Sequence, residues 1–179
     1  MKIAYPVAQQ IYAESGVDTE AALQRLAATP ISLQCWQGDD VGGFERAGAE
    51  LSGGGIQATG NYPGKARTLA ELRADLDQAF ALIPGKQRLN LHACYADLEG
   101  RKVERNAYGP AHFQSWIDWC KERGLGLDFN PTYFSHPLAE SGFTLSHADA
   151  GVRQFWIEHG IVSRNIGAEI GRQLGKTCV

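Results

Sequence analysis

Arg88-Leu-Asn-Leu-His-Ala-Cys-Tyr95 is the stretch from which the rest of the chain is read. Leu89, Leu91 and Ala93 alternate with Asn90, His92 and Cys94, the period of two that sends successive side chains to opposite faces of a strand. A helical pattern precedes it. Thr68-x-x-Glu71 has the capping-box form, and Leu69, Leu72, Leu76, Phe80 and Ile83 follow at helical spacing as far as Pro84-Gly85. Another follows it, opened by Gly109-Pro110, carrying Phe113, Trp116, Ile117 and Cys120, and closed by Gly124. A strand set between two amphipathic helices is the repeating unit of a parallel α/β sheet.

The same unit appears on both sides. Upstream, Ile31-Ser-Leu-Gln-Cys-Trp36 alternates as a strand; downstream, Leu125-Gly-Leu-Asp-Phe-Asn130 reads as a third strand ended by Pro131. Ser146-x-x-Asp149 is a second capping-box pattern, leading into a helix with Phe155, Val162, Ile166, Ile170 and Leu174 that stops at Gly175. Thr177-Cys178-Val179 reads as the opening of a fourth strand. Before the first strand, Pro6 to Ser15 predicts a short helix stopped at Gly16, and Asp18 caps a second through Ala22, Leu23 and Leu26. The expectation is a single incomplete domain over residues 1–179, with helices in 1–30 and β/α units in 31–179. A (β/α)₈ barrel needs about 250 residues. Three β/α units and the start of a fourth strand therefore predict the first half of such a barrel, cut short.

Composition narrows the function classes. Of 179 residues, 44% are hydrophobic and 21% charged, a mix that folds rather than stays disordered. The net charge of -3 and the lack of a basic stripe argue against a nucleic-acid partner. No signal peptide or membrane-spanning run is read, so the expected location is the cytoplasm. Cys35, Cys94, Cys120 and Cys178 are scattered, without CxxC pairs or zinc spacing, and read as reduced, mostly buried thiols.

In each strand the apolar set would pack under the helices, leaving Ser32, Gln34 and Trp36, Asn90, His92 and Cys94, and Gly126, Asp128 and Asn130 toward a barrel interior. Barrel active sites sit at the carboxyl ends of the strands, which singles out Trp36, His92, Asp128 and Asn130. An imidazole there can orient or polarise a hydroxyl or carbonyl, and the carboxylate and amide can hold hydroxyls. The competing reading is that His92 and Asp128 merely satisfy one another or the backbone. Trp36 can stack on a sugar face or simply pack. His112 and His159 fall on predicted helices, where a solvated or half-buried role is expected, whereas His136 and His147 lie in the loop after the third strand and can approach a site. The long Gly-rich segment 37–65 is expected to belong to a site. Within it, Gly60-Asn-Tyr-Pro-Gly-Lys-Ala66 is one residue short of a phosphate loop, contains Pro63, lacks the final Ser or Thr and follows no strand, so nucleotide binding is rejected.

Several long stretches closely resemble L-rhamnose isomerase: Cys35-Trp-Gln-Gly-Asp-Asp-Val41 with Gly43-Phe-Glu45, Gly54-Gly-Ile-Gln-Ala-Thr-Gly-Asn-Tyr-Pro-Gly-Lys-Ala66, Leu89-Asn-Leu-His-Ala93, Leu125-Gly-Leu-Asp-Phe-Asn-Pro131, Phe134-Ser-His-Pro137, Gly142-Phe-Thr-Leu-Ser-His-Ala-Asp149 and Arg153-Gln-Phe-Trp-Ile157. The resemblance covers nearly the whole chain. It implies a (β/α)₈ barrel that interconverts L-rhamnose and L-rhamnulose with manganese or a similar divalent ion polarising the C1 and C2 oxygens, in a protein expected to be a homotetramer. It also implies that the metal ligands lie beyond this chain, which alone is expected to bind no metal and to be inactive. The wall of the sugar pocket falls to His92 as a catalytic residue and to Trp36, Tyr95, Asp128 and Asn130 as substrate-binding residues. Gln34 departs from the pattern, standing where the resemblance leads to an expectation of His. Two alternatives stay open: a non-catalytic sugar-binding or assembly fragment, and a related ketose isomerase or epimerase.

Overall fold

A computed structural model describes residues 4–35, 43–45 and 66–179. Trp36 and most of the Gly-rich segment 37–65 lie outside the described residues. The chain opens with two helices, α1 (Tyr5–Glu14) and α2 (Thr19–Ala28), the second capped by the Asp18 carboxylate, which accepts from the Ala21 N–H at 3.0 Å. Three units follow in order: β1 (Ile31–Gln34) and α3 (Leu69–Leu82), β2 (Gln87–His92) and α4 (Gln114–Glu122), and β3 (Gly126–Asn130) and α5 (Ala150–Leu174). The strands form one parallel sheet in the order β1-β2-β3, so each crossover helix returns the chain to the neighbouring position.

The alternation read from the sequence sets the two faces. Leu89 and Leu91 of β2 and Leu127 and Phe129 of β3 are buried on one face, against Leu72 and Leu76 of α3, Trp116, Ile117 and Cys120 of α4, and Ile166 and Ile170 of α5. Leu33 is half-buried, and Ile31, at the start of the outer strand β1, remains 43% exposed. Fully burying one such aliphatic side chain is worth about 1.5–3 kcal/mol, so this layer carries most of what holds helices to sheet. Thr68 caps α3 as expected, accepting from the Glu71 N–H at 3.2 Å, and the stop residues Gly124 and Gly175 both adopt positive φ (67° and 60°).

Local expectations are corrected at five places. β1 ends at Gln34, although the Cys35 N–H still donates to Asn90 O at 3.0 Å. β2 ends at His92, and Ala93–Tyr95 is a tight 3₁₀ turn closed by the Ala96 N–H on Ala93 O, so Cys94 does not continue the inward polar set. The helix after Gly109 begins as a 3₁₀ turn, Pro110–Phe113, with His112 Nδ1 accepting from the Gly109 N–H. Ser146 is not the cap of α5. Asp149 is, its Oδ1 accepting from Gly151 and Val152 at 2.7 and 3.1 Å, because a carboxylate one residue before the helix reaches the free N–H groups directly. At Thr177–Val179 no strand forms among the described residues, yet the Phe129 N–H donates to Val179 O at 3.0 Å, which lays the segment alongside β3. A parallel α/β sheet is therefore present; closure of a barrel is not observed in the described residues. No helix among them is long and apolar enough to cross a membrane.

Candidate functional site

The polar faces of the three strands meet in two bonded clusters. The first joins Ser32 of β1, Arg88 of β2 and Asp128 of β3. Asp128 Oδ2 accepts from Ser32 Oγ at 2.6 Å and Arg88 Nε at 2.9 Å, while Oδ1 accepts from Arg88 Nη2 at 2.5 Å and the Val179 N–H at 3.1 Å. Burial on its own would raise the pKa of this carboxyl; Arg88, Ser32 and the Val179 N–H outweigh it and hold the group below the ordinary carboxylate value. Gly126 lies close beneath this pair: a Cβ there would lie 2.5 Å from Arg88 Nη1 and 2.7 Å from its Cζ, so the guanidinium would have to shift. Asp128 thus ties all three strands together, and its acceptor positions are engaged by the chain itself.

The second cluster lies one step nearer the carboxyl ends. Gln34 Nε2 stands 2.8 Å from His92 Nε2, and His92 Nδ1 stands 2.9 Å from Thr132 Oγ1. His92 is buried, and that burial, reinforced by the positive charge of Arg105, lowers its pKa to about 4, so the imidazole is neutral at neutral pH. Thr132 also accepts from the Ala93 N–H at 3.1 Å and is fully buried at φ 60°. A β-branched residue in that left-handed region is strained, at a cost of about 1–3 kcal/mol. Asn130 Oδ1 accepts from the Thr132 N–H at 2.9 Å. His92 and Asp128 do not pair with each other; each is bonded by side chains the sequence does not announce, Gln34 and Thr132 for His92 and Ser32 and Arg88 for Asp128.

Beyond the strands, Arg105 gathers the loops. Its guanidinium is 1% exposed and donates to both Glu45 oxygens at 2.7–3.0 Å, to Phe134 O at 2.7 Å, to Ser135 O at 3.0 Å and to Thr132 O. Tyr108 donates its hydroxyl to Glu45 Oε1 at 2.6 Å; burial, then the Glu45 charge, raises its pKa and keeps it protonated. This hub ties the Gly43–Glu45 segment to the loops after β2 and β3. His159, expected to be solvated or half-buried, is instead fully buried on α5, with Nδ1 3.0 Å from Arg105 O and Nε2 2.5 Å from Pro131 O.

The other expected residues are placed as follows. Tyr95 is buried, its ring edge-on to Phe44 at 5.1 Å. Asn130 is half-buried at the end of β3. His136 and His147 cap short turns, accepting at Nδ1 from the Leu138 and Asp149 N–H groups, and His136 also stacks on Phe155. Cys35, Cys94 and Cys120 are buried, and burial raises the Cys120 thiol to about 12. Sequence reasoning did not single out Thr132, Arg105 or Glu45. An arginine in a polar loop carries no local signal, while Asn130-Pro131-Thr132 at a strand end could have drawn attention to its turn.

A parallel sheet with crossover helices, carrying polar side chains at the carboxyl ends of its strands under loops tied together by a buried ion pair, defines the class: an α/β domain. The particular family comes from comparison. The L-rhamnose isomerase (RhaA) family model matches residues 1–179. An L-rhamnose isomerase of Pectobacterium carotovorum subsp. carotovorum (strain PC1) is 58% identical over 179 residues, covering 100% of this chain and 42% of that protein. Those of Cronobacter sakazakii (strain ATCC BAA-894) and Escherichia coli O9:H4 (strain HS) are 58% and 56% identical over 176 residues, covering 98% of this chain and 42% of theirs. The chain belongs to the L-rhamnose isomerase family, and it spans 42% of the length of these curated relatives.

Proposed function

We propose that the chain is the N-terminal portion of an aldose-ketose isomerase that converts L-rhamnose to L-rhamnulose by a hydrogen shift between C1 and C2. The single observation that carries this reading is the identity of 58% sustained over all 179 residues with a protein of that name. The polar strand face supports a part in holding the sugar. The amide of Asn130 suits a hydroxyl group, the neutral imidazole of His92 acts through the Gln34 amide that it bonds, Tyr95 and Trp36 furnish pocket wall, and Asp128 holds the strands that present them. The proposal extends to the first half of a (β/α)₈ barrel, a cytoplasmic location and a homotetramer.

Manganese or a similar divalent ion belongs to the proposal for the whole protein, where it would polarise the C1 and C2 oxygens. Among the described residues no group of three or more His, Cys, Asp or Glu is placed to hold a metal ion. The described residues do not fit the ion, and no step is derived through it. What this chain's residues do is bind and orient. The test is isomerisation of L-rhamnose, with added manganese, by the 179-residue chain and by the product of the coding region read past Val179. The expected result is turnover by the longer product alone. Turnover by the short chain would overturn the assignment of the metal chemistry elsewhere, and a longer product that isomerises other aldoses but not L-rhamnose would overturn the substrate.

A further inference from the structure

Thr132 combines a strained backbone with complete burial and a hydroxyl that touches three groups, and no local sequence pattern calls for it. Its Oγ1 accepts from the Ala93 N–H at 3.1 Å, a donor whose direction is fixed, and lies 3.3 Å from Asn130 O and 2.9 Å from His92 Nδ1. A hydroxyl has one proton to give. When that proton goes to Asn130 O, His92 must donate from Nδ1 to Thr132, which leaves a lone pair on Nε2. Gln34 Nε2, 2.8 Å away, donates to that lone pair. The amide is then oriented, and its Oε1, buried and without a hydrogen-bond partner, closes the chain as an unsatisfied acceptor. With the opposite polarity, Thr132 donates to Nδ1, Nε2 donates to a reversed amide, Asn130 O loses the hydroxyl, and the amide nitrogen is stranded instead.

We propose that Thr132 is a positioning residue for the sugar site: by accepting the Nδ1 proton it fixes the tautomer of His92, and through His92 it holds the Gln34 amide with its oxygen presented to a hydroxyl of the bound polyol. A buried acceptor lacking a donor is completed by a ligand that brings one, and a sugar hydroxyl does so. The pKa of His92, lowered to about 4 by burial and by Arg105, keeps the ring neutral, so that the two tautomers are the only states in play at neutral pH. The polyol half of this inference rests on the proposed sugar site; the direction of the hydrogen bonds does not.

The test pairs a spectroscopic readout with kinetics. In the chain labelled with ¹⁵N-histidine, the protonated and bare ring nitrogens resonate in separate regions, and His92, assigned by His92→Gln, is expected to carry its proton on Nδ1 at pH 7. Thr132→Val keeps the β-branched shape and removes only the hydroxyl; it should release the tautomer, whereas Thr132→Ser should keep it. Gln34→Met should leave the proton on Nδ1. In the intact isomerase, Thr132→Val and Gln34→Met should each raise KM for L-rhamnose about tenfold with kcat little changed, and Thr132→Ser should stay within about twofold. A wild-type proton on Nε2, or a Thr132→Val spectrum unchanged from wild type, overturns the proposal. So does an unchanged KM in both Gln34→Met and Thr132→Val. If Thr132→Val does not fold, the wild-type and Gln34→Met results still decide. If the intact protein leaves L-rhamnose unconverted, the functional reading fails while the spectra still judge the hydrogen-bond chain.

Discussion

Replacing Arg105 by methionine should destabilise the chain more than any other single change at the site. The guanidinium is 1% exposed and donates to both oxygens of Glu45 and to three backbone carbonyls, those of Thr132, Phe134 and Ser135. Methionine fills much of the volume but donates nothing. The Glu45 carboxylate, only 11% exposed, keeps the Tyr108 hydroxyl and loses its counter-charge. Removing one member of a buried ion pair costs about 3–5 kcal/mol. With a urea dependence of about 2 kcal/mol per molar, the unfolding midpoint should fall by about 2 M. Tryptophan fluorescence reports it, since Trp116, Trp119 and Trp156 are all buried. Glu45→Gln is expected to cost less, about 1–2 kcal/mol, because Arg105 keeps its three carbonyls and the amide oxygen can still accept. A midpoint for Arg105→Met within about 0.5 M of wild type, or a larger loss for Glu45→Gln, would refute the assignment of Arg105 as the hub of the loops.

Gly126→Ala drives a Cβ into the Arg88 guanidinium, so Arg88 must leave Asp128; a loss of about 1–3 kcal/mol in urea unfolding is expected, and a neutral result would mean the contact is absent. Asp128 has a folded pKa below its unfolded value of about 3.9, so its contribution is present above that pH and is lost as pH falls through the folded pKa. Acid unfolding followed below about pH 4 should accordingly be steeper for wild type than for Asp128→Asn. His92 behaves with the same sign by the opposite chemistry. Its folded pKa of about 4 lies below the unfolded value of about 6.5, so the unfolded chain takes up the proton first and stability falls as pH drops between those values. An imidazole NMR titration of His92 should show no protonation at pH 5.5, and a midpoint near 6.5 would show that the ring is solvated.

Much of the fold was legible because its signals are local. Leu69, Leu72 and Leu76 recur at helical spacing and belong to α3, and Leu89 and Leu91 alternate with Asn90 and His92 and do face the core. The misreadings are also local in origin. Ala93, Cys94 and Tyr95 continue the alternation in letters, but the backbone closes a 3₁₀ turn there, with Cys94 O taken by the Phe44 N–H at 2.9 Å. Ser146 offers a capping hydroxyl, yet Asp149 stands closer to the free N–H groups of α5 and provides the charged cap.

At the candidate site the balance reverses. The sequence by itself determined that Ser32, Gln34, His92, Asp128 and Asn130 share one face, because a period of two needs no partner strand to be read, and its stretches pointed to the family. It could not determine which of them bond. His92 and Asp128, the natural pair on paper, are separated into two clusters by the register that sets Asn90 beside Asp128 and His92 beside Asn130. Their actual partners, Gln34 and Thr132 for one, Arg88 and Ser32 for the other, are 40 to 96 residues away along the chain. Arg105 reaches Glu45 across 60 residues, and Thr132 holds a φ that no β-branched residue adopts on local preference. Periodicity is a property of neighbours in sequence, whereas hydrogen-bond satisfaction is a property of neighbours in space, and only strand order and register bring these groups together.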